Sequence, residues 1–454
     1  MKKKWKRGIA LIIVMSLLSG CYGEQKQNEI LESGKIKVMY YDEPSFYNDY
    51  GNLFKMKYPK IEFDVINMNN VHVNREQNGA WDYHVELKKL IEAHKPDVLL
   101  LNENLFEDYA RQGLLYDIET MIAKDKFDID AISPGLIEMI RGKGDGKLYG
   151  LAPYFYADVL YFNRDLFKQH QIDVPTNKMT WKQLFELSRR FTNTSTGEKT
   201  VVGLYQDYGV EHMLQQVVSS SELRLLDAKT DKLLINSDGW REAIKLVTDA
   251  IRDKYIYLQA SNRTSEEMIE GFFRGQAAMT LNGPWLAKEL KARALFDKAS
   301  KSFEWDIVTM PVASSSPDES ANVHVPEIFA IAGDSSNKQA AWEFVKFVNS
   351  ADMAMSASRT VNGKLPARPG LLQDIEGKSP EPFYLLTPKK APSFEESLGS
   401  TAAYKEFNQL FQPVLSEELQ AIIDDRQTVE EAIAVLEVKG QEALQKTKNK
   451  ISEK

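Results

Sequence analysis

One cysteine in 454 residues, Cys21, is the tightest constraint on this chain. Without a second thiol neither a disulfide framework nor a cysteine zinc site is open to it, so the fold must rest on buried apolar surface. There is enough of it: 43% of residues are apolar and 27% charged, and the length favours two or three folded units. The surroundings of Cys21 are equally telling. Residues 2–7 are basic, Gly8–Leu18 is mostly apolar, and Leu18-Ser19-Gly20-Cys21 comes next. These parts read as a secretory signal, too short for a standard membrane-spanning helix of about 20 residues.

Leu-Ser-Gly-Cys resembles the bacterial lipobox, which implies that Cys21 is acylated and becomes the new N-terminus. The expected layout is a signal peptide over 1–20 and a lipidated tether over 21–34. That layout puts the protein on the outer face of the cell membrane, held in the lipid bilayer through Cys21, because two or more acyl chains make a stable anchor. Removing residues 1–20, which hold five cations and no acid, takes the net charge from −8 to −13. An excess of that size repels phosphate backbones, so nucleic acid is not an expected partner.

Beyond the tether, strand and helix signals alternate, which predicts α/β domains with largely parallel sheets. Lys35–Tyr40 and Ile61–Ile66 alternate like strands, and Pro96–Leu101 reads as a buried parallel strand. Thr180-Trp181-Lys182-Gln183 is a capping box, Trp240, Ile244, Val247 and Ile251 form one helical face, and helices open near Ser336 and Thr428. Chemistry-bearing motifs are sparse. There is no Gly-x4-Gly-Lys-Ser/Thr, no Gly-x-Ser-x-Gly and no His-Glu-x-x-His, and the six histidines lack ligand spacing. No catalytic residue, metal site or cofactor is therefore expected. Gly142–Gly146 precedes a strand-like stretch instead of opening a helix, so it reads as a tight turn.

Aromatic residues gather beside polar ones in four places: Met39–Tyr47, Pro153–Asp158, Leu204–Gly209, and Asn282-Gly283-Pro284-Trp285 after the apolar run Ala277–Leu281. Each is expected to follow a strand, where loops of open α/β sheets line a ligand crevice. Flat aromatic faces with carboxylates and amides suit a sugar, which pairs apolar C–H faces with a rim of hydroxyls. Tyr161, Phe162 and Trp181 read as core.

Ala277–Trp285 is very similar to a segment of the maltose-binding-protein-like, family 1 extracellular solute-binding proteins of ABC importers. Lys147–Pro153, Leu160–Phe167, Tyr109–Leu115, Met310-Pro311, Ala340–Val348 and Gly363-Lys364-Leu365-Pro366 fit the same family, over about residues 35–440. The resemblance implies an α/β type II periplasmic-binding-protein fold, two discontinuous lobes with a ligand cleft between them. Lobe 1 is expected over 35–154 plus 312–364 and lobe 2 over 155–311 plus 365–450, with crossings near Tyr154–Val159, Thr309–Ala313 and Gly363–Arg368. It also implies a monomer that captures a mono- or oligosaccharide, closes on it and hands it to permease subunits served by a separate ATPase. Carried over by position, Trp285 is the aromatic platform under a sugar ring and Tyr208 falls near a second stacking aromatic. Tyr156 falls where a ligand-contacting glutamate stands, and Asp158 could replace its acceptor role. Tyr154 and Asn282 belong to the same segments, and Asp42, Glu43, Glu103 and Asn104 follow strands that supply hydroxyl-binding groups.

The chain departs from the family at Val323-His324-Val325-Pro326-Glu327-Ile328, where a Gly-rich stretch is usual. The stretch reads as a surface turn. The alternative places Glu327 or His324 at the cleft, selecting a charged or amino sugar. Two other classes stay open at this point. A cell-surface carbohydrate-active enzyme would need a carboxylate pair at a spacing that sequence does not give. A binding protein of the same fold for a non-sugar solute, such as a metal chelate or a polyamine, would share these signals.

Overall fold

In the computed structural model the alternating run Lys35–Tyr40 lies in strand β1 (Gly34–Tyr40), and Ile61–Ile66 lies in β2 (Ile61–Asn67). The structure describes residues 34–72, 83–192, 201–206, 208–227, 229–258, 270–296, 302–359, 363–389, 398 and 401–452. The expected signal peptide, Cys21, nearly all of the expected tether and Asp207 lie outside the described residues. β1 and β2 pair in parallel from Gly34 opposite Ile61 to Tyr40 opposite Asn67. A parallel pair needs a crossover, supplied here by helical turns between Glu43 and Lys57. β3 (Val98–Leu101) is buried throughout, as its unbroken apolar run requires.

The chain divides into two compact units at β3. The first takes the chain up to Val98 together with Ser335–Phe344, and the second takes Leu99–Asp334 and the chain from Val345 onward. In the first unit Phe344 packs with Phe46, Phe54 and Phe63, ring centroids 5.3–5.6 Å apart. Buried Asp97 accepts from Lys37 N, Ser335 Oγ and Asn337 Nδ2. Its carboxylate is thereby satisfied and ties the returning segment into this unit.

The second unit holds β4 (Gly150–Leu151), β5 (Tyr154–Ala157), β6 (Val159–Asn163), β7 (Val202–Gln206) and the short hairpin of β8 (Leu226–Asp227) and β9 (Lys232–Leu233). Further along come β10 (Ile256–Leu258), β11 (Ala277–Asn282), β12 (Trp305–Thr309), β13 (Glu319–Ser320), β14 (Val323–His324), β15 (Ile328–Ile331), β16 (Leu365–Pro366) and β17 (Thr387–Pro388). Its five-stranded sheet runs β10-β7-β11-β6-β12. The first three strands are mutually parallel, and β6 lies antiparallel to both β11 and β12. One face buries Leu160, Phe162, Leu204 and Met279 against Trp181, Phe185, Trp240, Phe407 and Phe411.

The helix starts agree with the sequence signals. Thr180 and Gln183 exchange the reciprocal bonds of a capping box ahead of Trp181–Arg189. Thr428 and Glu431 do the same ahead of Val429–Ser452. Gly142 and Lys143 end the helix Pro134–Lys143, and Gly146 turns the chain with φ +87°. No described helix is long and apolar enough to cross a membrane.

The aromatic segments differ from expectation. Pro153–Asp158 and Leu204–Gly209 do not simply follow strands, since Tyr154–Ala157 and Leu204–Gln206 are strand. Tyr40, Phe46, Phe155 and Tyr205 are core. Aromatic side chains also suit half-buried strands, so their clustering alone does not separate lining from packing.

Candidate functional site

β11 runs antiparallel to β6 with Asn282 opposite Val159, so the next step on each strand brings Gly283 alongside Asp158. Pro284 has no N–H to continue a ladder, and the helix Trp285–Phe296 starts at once. Tyr161, fully buried on β6, donates from its hydroxyl to the Gly283 carbonyl at 2.9 Å and fixes the corner. Burial also pushes the Tyr161 hydroxyl far above its ordinary pKa, so it stays a donor.

Trp285 is 43% exposed, a large aromatic residue open at a helix start. A Cβ on Gly283 would stand 3.2 Å from Trp285 Cδ1, 3.6 Å from Trp285 Nε1 and 3.5 Å from Asp158 Oδ1. Glycine leaves that space open between ring and carboxylate. A Cβ on Gly363 would stand 3.7 Å from Trp285 Cβ and 3.9 Å from Tyr156 Cε1, so these two aromatics flank a second glycine. Gly363 has φ +83°, a conformation glycine adopts at little cost.

A small three-stranded sheet, β14-β5-β16, assembles the rest. His324 is opposite Tyr156 and Leu365 opposite Phe155, both pairs antiparallel. Lys364, just before β16, donates to the Tyr154 hydroxyl at 2.6 Å and lies 3.2 Å from Glu327 Oε1. Glu327 is 3% exposed, so the surface-turn reading of this stretch does not hold for it; a carboxylate at that depth needs its lysine. Burial, and then the Glu327 charge, raise the Tyr156 hydroxyl pKa. Burial likewise pushes the Asp158 carboxyl up, opposed by exposed His324. Glu103 accepts from Val325 N at 2.5 Å and pairs with buried Lys143 at 3.2 Å.

The structure thus brings together Trp285, Asn282, Asp158, Tyr156, Tyr154 and Glu327, with Glu103 bonded beside the last. Asn104 is exposed in the first turn of the helix Glu103–Arg111. Tyr208 is exposed before the helix Val210–Ser220, tilted against His212 with centroids 4.3 Å apart. In the first unit, Asp42 caps the helix Glu43–Phe46, one oxygen accepting from Ser45 N and the other from Ser45 Oγ. Glu43 is exposed in that first turn. Sequence reasoning missed Lys364 and the service Tyr161 gives Gly283. Lys364 had a signal, because it sits in the Gly363–Pro366 stretch already singled out; Tyr161 had none.

Among proteins of known sequence, the chain is 25% identical over 299 residues to the maltodextrin-binding protein MdxE of Bacillus subtilis, covering 64% of this chain and 66% of that one. Among solved structures it is similar to the sugar-binding protein MalE of Xanthomonas citri, with a TM-score of 0.62 and 18% identity over 92% of this chain and 100% of that one. It is also similar to an ABC substrate-binding protein of Listeria monocytogenes solved in complex with cycloalternan, with a TM-score of 0.57 and 21% identity over 91% of this chain and 99% of that one. These likenesses agree with the α/β type II periplasmic-binding-protein fold that the sequence implies. The model of one family, bacterial extracellular solute-binding protein, matches residues 67–355, and the chain belongs to that family.

Proposed function

We propose that this protein captures a carbohydrate outside the cytoplasm and delivers it to an ABC permease whose ATPase is a separate chain. The observation that carries this reading is Trp285, a half-exposed indole held beside a carboxylate and a tyrosine by two glycines. An aromatic face takes the apolar face of a sugar ring, and the neighbouring Asp158, Tyr156 and Asn282 supply acceptors and donors for its hydroxyls. The sugar-binding relatives support the same reading. Tyr208, Asp42, Glu43, Asn104 and Glu103 remain proposed contacts.

Capture would proceed by closure of two lobes, 35–154 with 312–364 and 155–311 with 365–450, and pairing of β5 with β16 supports two crossing segments side by side. Cys21 would carry the lipid anchor, with the mature protein acting as a monomer. Calorimetric titration against mono- and oligosaccharides tests the central claim. Saturable binding with no product, and a smaller radius of gyration in scattering, is the expected result. Turnover of an oligosaccharide would favour an enzyme, and silence toward every saccharide would remove the carbohydrate reading. Cys21→Ala should release a folded protein from the membrane fraction, and its retention there would count against the anchor.

A further inference from the structure

Resting on the carbohydrate reading of this site, we infer that the ligand carries a protonated amine and that Asp158 is the residue that selects it. Three carboxylates belong to this neighbourhood, and they are not equivalent. Glu327 lies 3.2 Å from Lys364 Nζ. Glu103 lies 3.2 Å from Lys143 Nζ and also accepts a backbone N–H. Asp158 has neither a hydrogen bond nor an ion pair among the described residues. It is largely withdrawn from water, and exposed His324 offsets part of the burial cost of its charge. Such a carboxylate gains most from a positive partner that arrives with the ligand, since pairing restores what desolvation removes.

The location narrows the chemistry further. Asp158 Oδ1 and two indole atoms of Trp285 all lie within 3.6 Å of the position a Cβ on Gly283 would take, so carboxylate and ring border the same glycine. A ring seated on the indole would carry a substituent past its edge toward Asp158. A hydroxyl there would donate one neutral hydrogen bond. An ammonium would donate a charge-assisted bond to Asp158. The amino-sugar alternative raised by the sequence therefore passes from Glu327, which Lys364 neutralises, to Asp158.

Matched oligosaccharide ladders of one to four units decide the matter by calorimetry on the whole protein in detergent. The ladders are β-1,4-linked glucosamine, its N-acetylated counterpart, and the neutral glucose series of the same linkage. The glucosamine ladder should bind at least about tenfold more tightly than either other ladder, the factor one charge-assisted hydrogen bond supplies. In Asp158→Asn that ratio should fall toward one. The wild-type comparison stands even if the variant does not fold. Neutral or acetylated ladders binding as tightly as the amine ladder would overturn amine selection and leave the carbohydrate reading in place. So would a ratio unchanged in a folded Asp158→Asn. No binding of the glucosamine ladder would overturn amine selection alone, whereas spermidine binding more tightly than any saccharide would overturn the carbohydrate reading and this inference with it.

Discussion

Trp181 and Trp285 each occupy the first position of a helix in the second unit, yet Trp181 is 3% exposed and Trp285 is 43% exposed. Local sequence accounts for both starts: a capping box before the first, Asn-Gly-Pro before the second. Their tertiary surroundings differ. Trp181 donates from Nε1 to Ser220 Oγ at 2.7 Å, and its ring lies 5.8 Å from Phe185 in the core of the unit. Trp285 is flanked by Gly283 and Gly363, residues with no side chain to cover it. Position in a helix therefore does not decide what an indole is for; the surfaces brought against it do.

The largest expected effect breaks the comparison at its buried end. Trp181→Ala should destabilise the protein by about 3–5 kcal/mol, the cost of emptying an aromatic site in a packed core, and leave Ser220 without its donor. Urea titration reads this directly, and a loss under about 1 kcal/mol would place Trp181 outside the core energetics. Trp285→Ala attacks the exposed end. It should weaken carbohydrate binding by roughly 1–3 kcal/mol while costing much less stability than Trp181→Ala. Ligand should perturb tryptophan fluorescence in the wild type, and that component should vanish in the mutant. Normal binding with a much lower Tm would make Trp285 a core residue and end its assignment to the site.

Thr180→Ala removes the side-chain acceptor that starts the first helix and should cost about 1 kcal/mol. The loss should appear in thermal melts with sugar affinity unchanged; an altered affinity would couple this helix start to the site. Asp158→Asn should give the smallest change in stability, and its sign depends on pH. Burial raises the folded-state pKa of Asp158, so the ionised form weakens the fold above that pKa and the penalty disappears as pH falls through it. The variant should therefore melt above the wild type near neutral pH, with the gap closing as the pH falls through and below the carboxylate range. A variant less stable than wild type at neutral pH would mean that the Asp158 charge is compensated in the free protein.

Much of the fold was legible because its signals are local. Alternation marked β1 and β2, an unbroken apolar run marked β3, and reciprocal Thr–Gln and Thr–Glu spacings marked helix starts. These depend on backbone geometry within one turn or strand, which neighbouring residues set among themselves. Trp285 at a break after a buried strand was legible for the same reason. Tertiary structure alone decided which aromatics are packed: Tyr205 and Phe155 carry the same local pattern as Tyr156, yet they are buried. It also decided how the acids divide. Nothing near Glu327 in sequence announces Lys364, 37 positions away, and nothing near Asp158 announces Gly283, which reaches it through the register of β6 and β11. A carboxylate's charge state and use depend on what stands within a few ångströms of it, and strand pairing across long stretches of chain sets that distance.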